Sequence, residues 1–198
     1  MSKSVTEIQR NMALSILTTA MTILRDDEPF DPAHTIFGDN FASVPVWGSV
    51  GTEYSFENKA FPRTQITVTV GADPDDPASD RRNVKQVPTS ITIRFTPLMA
   101  GITRSALEQM FPLDVGYWID AEGNRRYGNY MGVVPPRVLL HRYRYRASNL
   151  PTSRFPVDVE LSFGDPNPQS SEKDMQKAPV FMGAFLTRDY SEKAQRHR

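Results

Sequence analysis

The chain has 198 residues, and its 23 Lys and Arg residues balance its 23 Asp and Glu residues, so the formal net charge at pH 7 is zero. Such a balance gives no overall field toward nucleic acid or anionic membranes, which leaves only local electrostatic recognition. The absence of cysteine excludes disulfides, thiolate nucleophiles and thiolate zinc sites. A hydrophobic content of 39% and a charged content of 23% are typical of a folded protein, and the length predicts a single domain, 1–198.

Residues 4–25 are predicted to form an amphipathic helix, with Ser4 and Glu7 at the spacing of a capping box. The predicted apolar stripe is Val5, Ile8, Met12, Ile16, Ala20 and Leu24, flanked by Ala13, Leu17 and Met21. The run 12–24 also resembles the core of a signal peptide, but Glu7 precedes it and no A-x-A site follows it. We therefore expect a protein that is cytoplasmic or assembled in a particle rather than secreted, and that has no membrane span.

Alternation of apolar and polar residues predicts strands over 64–70, 91–95 and 157–163. Pro97 is expected to end the second of these strands, and Pro45 to place a short strand over 44–50 at a sheet edge. The run 180–186 is apolar on both sides, as in a central or doubly covered strand. Residues 117–119 and 125–127 are predicted to pair as a hairpin that turns at Gly123.

A second, short helix is predicted over 103–111, with Leu107 and Met110 directed inward. The prediction is an α+β fold with a mainly antiparallel sheet of about five to seven strands. The N-terminal helix would pack across one face of the sheet, and the second helix would cap an edge.

The segment 137–146 is the strand around which we expect the fold to be organised. Alternation puts Arg142, Arg144 and Arg146 on one face and His141, Tyr143 and Tyr145 on the other. Such an arginine row suggests nucleic-acid binding, but antiparallel pairing with 157–163 offers a structural explanation. In the predicted register the opposed pairs are Arg146 with Asp158, Arg144 with Glu160, Arg142 with Ser162, Tyr145 with Val159, and Tyr143 with Leu161.

That register leaves Arg142 without an acid, so Arg142 is a candidate partner contact. The long polar loops 71–86 and 164–178 are further candidates for partner-contacting arms, and residues 191–198 are predicted to form a frayed polar tail. In the first loop we single out Asp75, Asp76, Arg81 and Arg82 as contact residues. The acidic run from Asp73 lacks the glycine and glutamate that an EF-hand requires, so it does not predict a calcium site.

No nucleophile elbow, P-loop, dinucleotide-binding or zinc-protease motif is present in the sequence. The three histidines, His34, His141 and His197, are not at metal-ligand spacing, and His141 is interpreted as a sheet residue. Asp114, Asp120 and Glu122 lie near Tyr117 and Trp118, a combination found in carbohydrate sites and also in ordinary cross-strand packing.

The sequence therefore favours a non-enzymatic structural or assembly subunit of a larger complex, such as a phage tail or neck or a secretion machine. Its partners would be other protein subunits in a homo- or hetero-oligomer, with no nucleic acid, cofactor or metal. One alternative is a small one-to-one binding or immunity-type protein. The second alternative is a carboxylate-dependent hydrolase that uses the acids near Trp118.

Overall fold

A computed structural model of the chain describes residues 5–33, 35–74, 76, 83–120, 122–134, 137–147, 151, 153–164 and 180–190. Within these residues there are two helices and eleven strands. They are α1 (Glu7–Arg25), β1 (Asn40–Pro45), β2 (Gly51–Asn58), β3 (Phe61–Ala72), β4 (Gln86–Ala100), α2 (Arg104–Met110), β5 (Leu113–Asp114), β6 (Tyr117–Ile119), β7 (Arg125–Tyr127), β8 (Tyr130–Val134), β9 (Arg137–Ala147), β10 (Val157–Gly164) and β11 (Val180–Arg188).

Most of the strands form one nine-stranded sheet in the order β1-β2-β3-β4-β11-β10-β9-β5, with β8 also paired to β9. β6 and β7 form a separate two-stranded sheet. Every described pairing is antiparallel, and the pairing of β11 with β4 joins the meander β1–β4 to the meander β9–β11. The α+β class is confirmed, whereas the predicted count of five to seven strands was too low.

The sheet has one face covered by α1, which contacts β4, β10 and β11 in its centre. Inward side chains of these strands join the helix in one core that includes Ile93, Val159, Leu161, Phe163 and Leu186. β11 lies between β4 and β10, so the prediction of a central strand there is confirmed. α2 lies against the edge strand β5, as predicted. Neither described helix is long and apolar enough to cross a membrane.

The strand predicted over 44–50 was wrong, because two strands joined by a turn occupy this region. β1 ends at Pro45 and β2 begins at Gly51, with the Val46 N–H donating to the Gly51 carbonyl at 3.1 Å. Backbone groups alternate in direction along an antiparallel strand, so the Pro45 nitrogen faces away from β2, where no donor is needed. β1 is an edge strand, as Pro45 indicated, but its residues are all exposed and give no apolar alternation.

Pro97 does not end β4, which continues to Ala100. The last backbone pair between β3 and β4 is Gln65 with Arg94. Beyond it, the Thr64 hydroxyl accepts from the Thr96 N–H at 3.0 Å and replaces a ladder bond. The pairing with β11 is also irregular over this stretch, between Phe181 and Gly183. A proline is tolerated here because no regular ladder bond requires its missing N–H.

α1 begins at Glu7, later than predicted, and its capping box uses Thr6 and Gln9. The Thr6 hydroxyl accepts from the Gln9 N–H at 3.2 Å, and the Gln9 side chain accepts from the Thr6 N–H at 3.1 Å. Ser4, the predicted cap, lies outside the described residues. The predicted stripe is buried from Ala13 onward, whereas Ile8 in the first turn is 78% exposed.

Arg188 at the end of β11 holds the C-terminus of α1. Its side chain donates to the carbonyls of Leu24 at 2.8 Å and Ile23 at 2.7 Å, and it pairs with Asp27 at 3.2 Å. These carbonyls have no partner within the helix, and a cation at this end also complements the helix dipole. The guanidinium lies 4.1 Å from the centre of the Phe155 ring. Arg188 is 3% exposed, and these partners offset the cost of burying its charge.

α2 is shorter than predicted, and only Leu107 is buried in it. Met110 is 41% exposed, contrary to the prediction, because a helix of this length against a sheet edge has only one covered side. The Tyr145 hydroxyl of β9 donates to Glu108 at 2.6 Å, which ties the helix to the sheet. Burial raises the pKa of Tyr145, and the bond to Glu108 raises it further.

Candidate functional site

The predicted register of β9 and β10 is confirmed. Arg146 lies opposite Asp158, Arg144 opposite Glu160, and Arg142 opposite Ser162. Tyr143 and Tyr145 face the core and are each 2% exposed. The arginines therefore lie on the sheet face turned away from α1, which we call the open face. It is formed by the outward residues of β3, β4, β11, β10 and β9.

The prediction that Arg142 has no acidic partner was wrong. Arg142 pairs with Glu160 at 3.2 Å, Arg144 with Asp158 at 2.8 Å, and Arg146 with Asp158 at 2.8 Å. Strand twist brings a long side chain toward the diagonal residue of the next strand, so Glu160 meets Arg142 instead of Arg144. Partial burial would lower the pKa of Arg146, but its bonds to Asp158 and Asp189 outweigh burial and raise the pKa.

The open face has a depression of about 610 Å³ in its centre, which we call the open-face depression. Its floor follows one row across the strands, in the order Arg94, Gly183, Ser162, Arg142. Phe185 stands beside this row and is 46% exposed. The depression is lined by Thr92, Ile93, Arg94, Leu140, Arg142, Glu160, Ser162, Met182, Gly183, Ala184 and Phe185.

The hairpin β6–β7 presents a second surface, and its predicted pairing is confirmed. Tyr117 lies opposite Tyr127, Ile119 lies opposite Arg125, and Gly123 has a φ of +83° in the turn. Tyr117, Ile119 and Tyr127 share one face, with exposures of 50%, 52% and 80%. Val115, two residues before Tyr117, is 63% exposed. We call these four residues the hairpin patch. The Arg125 guanidinium lies 3.9 Å from the centre of the Tyr117 ring.

Asp120, a residue of the hydrolase alternative, organises the hairpin turn. Its carboxylate accepts from the N–H groups of Glu122 at 3.1 Å and Asn124 at 2.7 Å, and from Arg126 Nε at 2.7 Å. Desolvation would raise the pKa of Asp120, but the hydrogen bonds from Asn124 and Arg126 outweigh it and lower the pKa. A lowered pKa is the opposite of what a general acid needs at neutral pH. Glu122 is exposed, and Asp114 lies in the edge strand β5 opposite Arg146.

Of the remaining candidate contact residues, Asp76 is the one that the structure describes. Asp76 lies at the loop end of β3 and β4, where its carboxylate accepts from the Lys85 N–H at 2.6 Å. The other predicted contacts, Asp75, Arg81 and Arg82, lie outside the described residues, as do the loop 165–178, the tail 191–198, His34 and His197.

His141 is a sheet residue, as predicted. It is 4% exposed, and its Nδ1 lies 3.0 Å from the Tyr130 hydroxyl. Across the described ranges, no three His, Asp or Glu side chains are grouped closely enough to hold a metal ion.

Sequence reasoning missed Arg94, Phe185 and the exposure of the hairpin patch. Arg94 was visible as the polar member of the alternation over 91–95, and Phe185 as an apolar residue on the outward side of the 180–186 strand. Neither signal locates a site without the order of the strands. No family model, no characterised protein and no solved structure matches this chain.

Proposed function

We propose that this protein is a non-enzymatic assembly or binding subunit that contacts other proteins through the hairpin patch. The observation that carries the proposal is the group of three exposed side chains on one face of this small two-stranded sheet, Tyr117, Ile119 and Tyr127, with exposed Val115 two residues before it. Contiguous apolar surface on a folded protein commonly marks a protein contact. Tyrosine and arginine, which meet here in Tyr117, Tyr127 and Arg125, are also enriched at protein interfaces.

The hairpin itself is consistent with an element that a partner stabilises. A two-stranded hairpin is marginally stable on its own in water. Its other side carries Trp118, whose indole N–H is buried and has no acceptor in the described part of the chain. A partner that covers the hairpin patch would remove apolar surface from water and hold the two strands together.

A subunit with several neighbours is favoured over a one-to-one binder because exposed surfaces occur in different parts of the chain. The edge strand β1 is exposed along its whole length, and Trp47 in the following turn is 97% exposed. Unpaired edges and exposed aromatic side chains both favour association. A particle component, such as part of a phage tail or neck or of a secretion machine, would use surfaces of this kind.

Site-specific cross-linking in the cells that make the protein tests the proposal. A photoreactive phenylalanine analogue replaces Tyr127, and the matched control carries it in place of Lys59, an exposed residue in the turn between β2 and β3. We expect cross-linked protein from position 127 and none from position 59, and loss of the product when Ile119→Ser is added. A product containing two copies of the chain indicates self-assembly, and any other protein indicates a hetero-complex.

The proposal is overturned if position 127 gives no more product than position 59 and light scattering shows a monomer at high concentration. A single partner with one-to-one stoichiometry would favour the immunity-type alternative.

A further inference from the structure

We propose that the open-face depression is a second binding site, which takes an extended protein segment carrying a carboxylate between apolar side chains. The site is formed by Arg94, Arg142, Glu160, Ser162, Gly183 and Phe185. It lies on the main sheet, whereas the hairpin patch belongs to a separate sheet, so this inference does not depend on the proposed function.

The strand order gives the depression its shape. In the central row, the two arginines flank Gly183 and Ser162, which have the smallest side chains of the row. A Cβ on Gly183 would lie 1.9 Å from the Ile93 carbonyl oxygen, so this position of the row cannot carry a side chain. Three strand spacings separate the backbones of β4 and β9, so a gap of roughly 14 Å lies between the two arginine backbones. That width admits one extended chain with side chains on both sides.

The charges of the depression favour an anion. Its charged residues are Arg94, Arg142 and Glu160, which is two positive charges and one negative charge, a net of +1. The Arg94 side chain is exposed and makes no hydrogen bond or ion pair with any described residue. Arg142 pairs with Glu160 through one terminal nitrogen, and its Nε is buried without an acceptor among the described residues. Asp158 does not compensate these groups, because it accepts from Arg144 and Arg146.

The remaining residues that line the depression favour a ligand with apolar groups beside its carboxylate. Phe185, Met182 and Leu140 supply apolar surface beside the guanidinium groups. Glu160 and Asp158 on the same face would repel the closely spaced phosphates of a nucleic acid. The depression opens along the sheet face, so a small free carboxylic acid would keep much of its surface in water. A protein segment with one carboxylate supplies a negative charge for the arginines, and the rest of the partner covers the apolar rim.

The test is an NMR titration of the full chain labelled with ¹⁵N. The probes are three capped five-residue peptides with a central glutamate, glutamine or lysine between two valines. We expect the glutamate peptide to shift the side-chain Nε–H signals of Arg94 and Arg142, and the other two peptides to leave them unchanged. Arg94→Gln or Arg142→Gln should weaken binding by about tenfold or more, since each removes a charge-assisted hydrogen bond.

Arg63→Gln is the matched control. Arg63 is an exposed arginine on β3 that also belongs to the open face, but it does not line the depression. Ser162→Leu fills the floor without altering either guanidinium, so it should abolish binding while thermal unfolding stays cooperative. The inference is overturned if the glutamate peptide leaves both arginine signals unmoved, or if Arg63→Gln weakens binding as much as Arg94→Gln. Stronger binding of acetate or of a single-stranded oligonucleotide than of the glutamate peptide would also overturn it. None of these outcomes alters the cross-linking result at Tyr127.

Discussion

The two faces of the β9–β10 pair are built from alternate residues of the same two strands in one register, yet different forces hold them. On the covered face, Tyr143, Tyr145, Val159 and Leu161 are at most 2% exposed, so burial of apolar surface dominates. On the open face, arginines and acids form ion pairs that remain partly in water, and such pairs contribute little. The covered face therefore fixes the register, because a slip by one residue would turn its aromatic side chains into solvent.

This difference leaves the open face free to act as a binding surface. Its side chains can exchange one ionic partner for another at small cost, whereas any change on the covered face disturbs the core. Four substitutions, given from the largest expected effect to the smallest, would break or sharpen the comparison.

Leu161→Ala on the covered face should lower the free energy of unfolding by about 2–5 kcal/mol, because it leaves a cavity in a closely packed core. The adjacent Ser162→Ala, on the open face of the same strand, should change it by less than about 0.5 kcal/mol. Urea unfolding followed by circular dichroism measures both. Equal losses from the two variants would contradict the distinction between the faces.

Arg188→Ala should lower the free energy of unfolding by about 3 kcal/mol, because it leaves the buried carbonyls of Leu24 and Ile23 without their donor and removes one of the two arginines paired with Asp27. Arg188→Lys keeps the charge but not the fork that reaches both Leu24 and Ile23, so we expect a smaller loss. Arg94→Ala is the matched control, an arginine with no partner among the described residues. Thermal unfolding measures the stability of all three variants. A loss for Arg94→Ala equal to that for Arg188→Ala would refute the prediction.

Asp158→Asn removes the acceptor shared by Arg144 and Arg146 on the open face. Asp158 keeps 27% of its side chain exposed, so solvent screens the pairs and we expect a loss of about 1 kcal/mol. Because salt screens such pairs, the difference from the unaltered chain should shrink in 1 M NaCl. A salt-independent loss of more than about 3 kcal/mol would mean that the open face is a second core.

The smallest effect is expected outside the main sheet, at Asp120 in the hairpin turn. The pKa of Asp120 is lower in the folded hairpin than in the unfolded chain. Its contribution to the stability of the hairpin turn is therefore present above the unfolded value near 3.8 and is lost as pH falls through the folded value. Amide signals of Glu122 and Asn124 should therefore change at acid pH while signals of β10 do not. Asp120→Asn should remove this pH response, and a response that survives the substitution would assign it to another group.

Local patterns in the sequence were sufficient for the strand pair and the hairpin. The pairing of 137–146 with 157–163 follows from alternation, since only one register opposes Tyr143 to Leu161 and Arg146 to Asp158. The hairpin at Gly123 follows from turn chemistry. Diagonal pairing of Arg142 with Glu160 could not be obtained in this way, because it depends on the twist of the strands in space.

The open-face depression could not be predicted from the sequence, because it depends on strands that are distant in the chain. Arg94 and Arg142 share a row only because β11 pairs with β4 on one side and with β10 on the other. No local pattern predicts that pairing, and alternation does not separate a covered outward face from an open one.

The sequence by itself determined the α+β class, the amphipathic helix and the register of β9 with β10, since these depend on periodicity and on neighbouring segments. Tertiary structure alone decided the nine-stranded order, the open-face depression and the clamp of Arg188 on the carbonyl of Leu24, 164 residues away along the chain. The physical reason is that side-chain periodicity is local, whereas strand order and helix placement are fixed by the burial of a single shared core.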